Sequence, residues 1–175
     1  MNINFLRRVG HLFVALLAGA IMAAAGAAEA NAARQAQLEG KPAPALQLIN
    51  WLNGDAVTLA ELKGKVVVLD FWATWCRPCI ADIPRNNALA EKYRDQGVVV
   101  LGVCHPMGME KMDAVVLTKG MKYPTAQDSH GATTKAYAVE SLPESYVIDR
   151  KGVLRAANCP RSRIERVIES LLKEP

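Results

Sequence analysis

The sequence has few cysteines: four in 175 residues, far too sparse for a scaffold held by disulfides. It has no second paired-cysteine motif. A structural zinc site normally needs four ligands, so the single Cys-x-x-Cys at Cys76 and Cys79 lacks the partners for one. Basic residues form no run. The net charge is +4, from 21 Lys and Arg against 17 Asp and Glu, and the surplus is spread along the chain. That distribution argues against a nucleic-acid patch. There is also no internal repeat and no domain break.

What is present suffices for one domain and a leader, since 51% of the residues are hydrophobic. Arg7 and Arg8 precede the apolar stretch Val9–Ala28, and Ala28-Glu29-Ala30 offers a small-x-small cleavage site before Asn31. Residues 1–30 therefore read as a signal peptide. The alternative is an uncleaved anchor, because about twenty apolar residues can span a bilayer. Ala and Gly dominate the second half of the stretch and weaken it as a span. The leader holds no cysteine, which excludes a lipid-attached one. Both readings place the following domain outside the cytoplasm, in the periplasm, anchored to the membrane if the leader is retained. Residues 31–40, polar and Ala-rich, read as a flexible tether to a domain over 41–175.

Within that domain, Ala45–Trp51 is an expected strand. Asn53-Gly54-Asp55 is a turn signal leading to a second strand at Val57, giving an N-terminal hairpin. Val66–Phe71 is a nearly unbroken apolar run, as in a strand covered on both faces. A helix over Pro78–Arg94 and a strand over Val98–Val103 complete a right-handed βαβ unit with parallel strands. Pro84 should kink that helix. Met109–Lys119 reads as a helix ended by Gly120, and Thr133–Tyr137 as a helical turn. Ser145–Asp149 and Val153–Ala157 read as a hairpin. The last helix is expected over Ser162–Lys173, capped by Ser162. The class is α/β.

Trp75-Cys76-Arg77-Pro78-Cys79 follows the buried strand and opens a helix. Pro78 suits a first helical turn, where its missing N–H costs nothing. Cys76 then lies where unpaired N–H groups and the helix dipole stabilise a thiolate, with Arg77 adding positive charge. The thiolate is the attacking species in disulfide exchange. Cys76 is accordingly the expected nucleophile, and Cys79, one turn on and more buried, the resolving thiol. Two intervening residues let the pair open and close with little backbone movement. Asp70 breaks an apolar run and would be costly if buried without a partner, so it is a candidate proton carrier for Cys79. Its ordinary reading is a strand-end residue facing water. Asp82 is a second candidate, its ordinary reading an acid complementing the helix dipole.

The stretch Lys63–Cys79, with Leu142-Pro143 ahead of a strand ending Val147-Ile148-Asp149, closely resembles the TlpA/ResA-type extracytoplasmic thioredoxin-like proteins of bacteria. The likeness runs from about Lys41 to Leu172. It implies a thioredoxin-like three-layer fold: a central mixed sheet with helices on both faces and an extra N-terminal β-hairpin. It also implies a cis Pro143 packed on the redox pair, shaping a groove and leaving the Leu142 backbone free to pair with a bound chain. Trp75, Arg77 and Leu142 are the client-contacting positions so implied, and Asp70 and Asp82 match acidic positions of such proteins. Members typically reduce disulfides in clients such as apocytochrome c or copper-centre assembly proteins, need no cofactor, and are recharged by a membrane thiol carrier.

Cys104 and Cys159 depart from the pattern. In the resembled sheet order their strands are three spacings apart, roughly 14 Å, beyond disulfide reach. Both fall at the active-site end of the sheet, where a substrate could meet them. Cys104-His105 with Met107, Met109 and Met112 suggests a different class, a copper(I) carrier, since thiolates and thioethers suit that ion. Against it, methionines commonly just fill gaps in a core. A peroxidase of related fold is discounted because Cys76 lacks the Thr-x-x-Cys pattern.

Overall fold

The computed structural model describes residues 26–174. Residues 1–25, most of the expected leader, lie outside the described residues. Of the first of two compact units, ending at Arg34, residues 26–34 are helical. No helix among the described residues is long and apolar enough to cross a membrane.

The second unit begins at Gln35 and carries the sheet. Its strands are β1 (Leu48–Leu52), β2 (Val66–Trp72), β3 (Val98–Cys104), β4 (Thr125–Asp128), β5 (Glu144–Ile148) and β6 (Leu154–Ala156). They lie side by side in the order β1-β4-β3-β2-β5-β6. The pairs β2–β3 and β3–β4 are parallel and the rest antiparallel, so the sheet is mixed. Four helices follow: α1 (Arg77–Tyr93), α2 (Met112–Lys119), α3 (Ala132–Ala136) and α4 (Arg161–Leu172).

All seven residues of β2 are buried, as its apolar run implies. Alternation along the strand sends Val66, Val68 and Trp72 into one core with Ile83 and Leu89 of α1, Met112 of α2 and Ile164 and Ile168 of α4. Val67, Leu69 and Phe71 enter a second core with Tyr137 and Tyr146. Each such side chain contributes about 1.5–3 kcal/mol by leaving water. By the same alternation Asp70 shares the face of Val68 and Trp72, beneath α1.

Four expectations need correction. The N-terminal hairpin does not form, because residues 55–58 are in no strand and β1 pairs antiparallel with β4 instead. The Asn53 side chain, expected in a hairpin turn, donates to the Met121 carbonyl (2.7 Å). β4 itself is additional, a polar strand where no apolar run marked one. The tether over 31–40 is helical through residue 36, in keeping with its alanines. Gln35 is buried, and its side chain donates to Glu144 and to the Ala138 carbonyl. Finally, α4 starts at Arg161 behind Pro160 with no side-chain cap, so Ser162 is not its cap.

Candidate active site

β2 ends at Trp72, and α1 begins at Arg77 after four intervening residues. Cys76 occupies the N-cap: its backbone is extended, and its Sγ accepts the Cys79 N–H at 3.3 Å. Pro78 sits in the first turn, where no intrahelical bond is lost. Cys76 and Cys79 form a disulfide with Cα atoms 5.3 Å apart. They are 4% and 3% exposed, so Cys79 is the more buried of the two by a narrow margin.

Around the pair the surface is built from two loops. Trp75 is 54% exposed, and Arg77 is exposed too. The Trp75 indole donates to the Met107 carbonyl (3.0 Å), and the Thr74 hydroxyl donates to the Gly108 carbonyl (2.8 Å). His105 Nδ1 accepts the Met107 N–H (3.1 Å), and its ring meets Trp75 edge-on at 6.3 Å. Gly108 has φ +80°, and a Cβ there would lie 2.6 Å from the Thr74 hydroxyl and 3.1 Å from the Trp75 ring. Only glycine fits that close approach.

The Leu142–Pro143 bond is cis. Because β5 pairs with β2 through Phe71↔Glu144 and Asp70↔Ser145, this bond lies at the end of β2 that feeds Cys76. Trp75, His105 and Met107 on one side and Val139, Glu140 and Leu142 on the other line a groove of about 340 Å³. Trp75 and Leu142 thus share one groove.

Asp70 lies beneath the disulfide helix and is buried. Its Oδ2 accepts from Asn86 Nδ2 (2.9 Å) and from the Tyr123 hydroxyl (3.0 Å). Burial pushes its carboxyl up to about 6; the Tyr123 bond opposes this, the Asp82 charge reinforces it, and Asn86 and Arg161 pull it down. Asp82 is buried as well and ion-paired with Arg161. Its partial burial raises its carboxyl above the usual range, against the pull of Arg161 and Arg85.

Sequence reasoning missed Asn86, Tyr123 and Arg161, the partners of the two acids. For Asn86 a signal existed: Cys79, Asp82 and Asn86 stand at i, i+3 and i+7, one stripe of a helix. Tyr123 and Arg161 come from other elements, and no spacing announces them.

Cys104 pairs in register with Trp72, and Cys159 follows β6; both are buried free thiols. The strands β3 and β6 are separated by β2 and β5, as expected. Cys104 is wholly buried, and Cys159 is 4% exposed, the same as Cys76. Burial, helped by the Glu110 charge, pushes the Cys104 thiol up to about 12, and burial also raises that of Cys159. Of the methionines, Met107 is 64% exposed, whereas Met112 is buried in the same core as Cys104 and Met109 packs against that core.

A mixed sheet with helices on both faces, a disulfide at the head of the helix after its central strand, and a cis-proline at the same end define a thioredoxin-like protein. The chain belongs to the AhpC/TSA family, whose pattern matches residues 40–157. It is 36% identical over 113 residues to the thiol-disulfide oxidoreductase ResA of Bacillus thuringiensis, covering 65% of each chain. It is 36% identical over 119 residues to the thioredoxin-like protein YneN of Bacillus subtilis, covering 67% of this chain and 69% of that one. The crystal structure of a thiol-disulfide isomerase from Corynebacterium glutamicum superposes with a TM-score of 0.66 at 26% identity, covering 76% of this chain and 98% of that one.

Proposed function

We propose that this protein is an extracytoplasmic thiol–disulfide oxidoreductase that reduces disulfides in exported client proteins. The observation that carries the reading is the Cys76–Cys79 disulfide at the N-terminus of α1, beside the groove. In the dithiol form the Cys76 thiolate attacks one sulfur of the client disulfide. A Cys76–client disulfide forms, and the client's other sulfur leaves as thiolate. Cys79 then gives up its proton and attacks the Cys76 sulfur. The second client thiol departs, the Cys76–Cys79 disulfide returns, and two electrons have passed to the client.

Each neighbour has a task. The unpaired N–H groups of the first turn of α1, with Arg77, favour the Cys76 thiolate. Asp70 receives the Cys79 proton, since a carboxyl that titrates near neutrality can both accept and return one. Asp82, ion-paired to Arg161, supplies a fixed charge beside it. Trp75, Arg77, Leu142 and the cis Pro143 hold the client. The leader read from residues 1–30 supports export, and a membrane thiol carrier would recharge the pair. Apocytochrome c and copper-centre assembly proteins are the client classes that fit.

The test is reduction of insulin disulfides under excess dithiothreitol. The wild type accelerates the precipitation of reduced chains and Cys76→Ser does not. A wild type without effect overturns the reading.

A further inference from the structure

Glu144 directly follows the cis Leu142–Pro143 bond and is buried, only 3% exposed. No step of the mechanism uses it. Its Oε1 accepts both the backbone N–H (3.1 Å) and the hydroxyl (2.8 Å) of Ser141. Its Oε2 accepts from Gln35 Nε2 and from the Tyr146 hydroxyl, each at 2.8 Å. Gln35 also grips the chain just upstream, since the second hydrogen of its Nε2 is donated to the Ala138 carbonyl (2.9 Å). One carboxylate thus anchors both ends of the loop from Ala138 to Pro143, directly at Ser141 and through Gln35 at its start. Val139, Glu140 and Leu142 of that loop form one wall of the groove.

An exposed loop of this length, held only by its ends, would have to be ordered when a client binds, at a cost in affinity. Here the ordering is done in advance from below, by a group that touches no client. A small disulfide needs only the sulfurs. A polypeptide needs the wall as well. We infer that Glu144 is a positioning residue that fixes the Val139–Leu142 wall and so lets the protein favour polypeptide disulfides over small ones. The inference rests on the thiol–disulfide reading proposed above.

A carboxylate offers acceptors on both oxygens, whereas the amide of Gln offers one oxygen and two donors. Glu144→Gln therefore sets donor against donor on one side, at Ser141 or at Gln35 and Tyr146. The expected result is a KM for insulin higher by on the order of tenfold, with kcat and the rate toward a small aromatic disulfide unchanged. Hydrogen exchange at the Ser141 amide should accelerate in the same variant, a readout independent of activity. If Glu144→Gln does not fold, Ser141→Ala, which removes one of the four bonds, should raise the KM for insulin several-fold with the same indifference to the small disulfide. Equal loss toward both substrates would make Glu144 a merely structural residue and overturn the inference, as would unchanged KM or a Ser141 amide as protected as in the wild type. A wild type inactive toward both substrates but with the exchange effect intact would overturn the redox reading instead.

Discussion

Asn86 donates to Asp70 across 2.9 Å, tying the helix that begins at Cys76 to the strand that delivers it. The bond runs beneath the disulfide and ends on a carboxyl held up at about 6, largely by burial.

That carboxyl sets a pH dependence of stability. A group whose pKa is raised on folding binds its proton more tightly in the folded state, so stability falls as pH rises from about 4 to about 6 and the loss is complete above that. Two units correspond to on the order of 3 kcal/mol. Asp70→Asn, which keeps an oxygen for Asn86 and Tyr123, should exceed the wild type by up to about that amount at pH 8 and match it near pH 4. Urea melts at the two pH values check this; an equal difference at both would contradict it.

The same acid has a kinetic role in the proposed cycle. Cys79→Ser should trap Cys76–client disulfides, while Asp70→Asn should slow resolution more than attack. Arg161 pulls both acids down, so Arg161→Gln should move the inflection of the resolution rate to higher pH. Stopped-flow release from a Cys76 mixed disulfide measures it. Resolution untouched in Asp70→Asn would transfer the proton to Asp82.

Cys104→Ala combined with Cys159→Ala removes two buried sulfurs and no bridge. The expected cost is about 1 kcal/mol per small cavity, below the 2–5 kcal/mol typical of a lost disulfide. Insulin reduction should persist. Alkylation of the native protein followed by mass spectrometry should find both thiols unmodified, and rapid labelling of either would show that its cover opens.

Gly108→Ala should destabilise by about 1–2 kcal/mol, since a left-handed backbone disfavours a Cβ. The new methyl also presses on Thr74 and Trp75, so the indole should leave Met107. Thermal melts and quenching of tryptophan emission by iodide report the two effects, and an unaltered quenching curve would refute the second.

How much of this was legible depended on whether a residue declares itself locally. Cys76 and Cys79 did, through a motif at a strand–helix junction. Asp70 did, as a charge inside an apolar run. β4 did not: Thr125, Ala126, Gln127 and Asp128 are all buried, yet three of the four are polar. Their polar groups are satisfied by partners distant in sequence, such as the Trp72 indole on Thr125 and the Met109 carbonyl under Gln127. The turn at Asn53 misled for the complementary reason, because turn chemistry is local but the choice of strand partner is not. Glu144 looked like an ordinary polar residue after a proline, and only the fold gathers Gln35, Ser141 and Tyr146 around it.

The pairing of β1 with β4 and of β2 with β5 bears on how the chain reaches this state. Leu48 meets Asp128 and Val67 meets Ile148, each roughly 80 residues away along the chain. Such distant closures are entropically expensive before they are rewarded, which places folding in the millisecond-to-second range rather than the microseconds of local topologies. A chain stopped before residue 144 has no β5 to cover the second edge of β2. The central strand therefore acquires both neighbours only when nearly the whole chain is present, and the domain closes late and all at once.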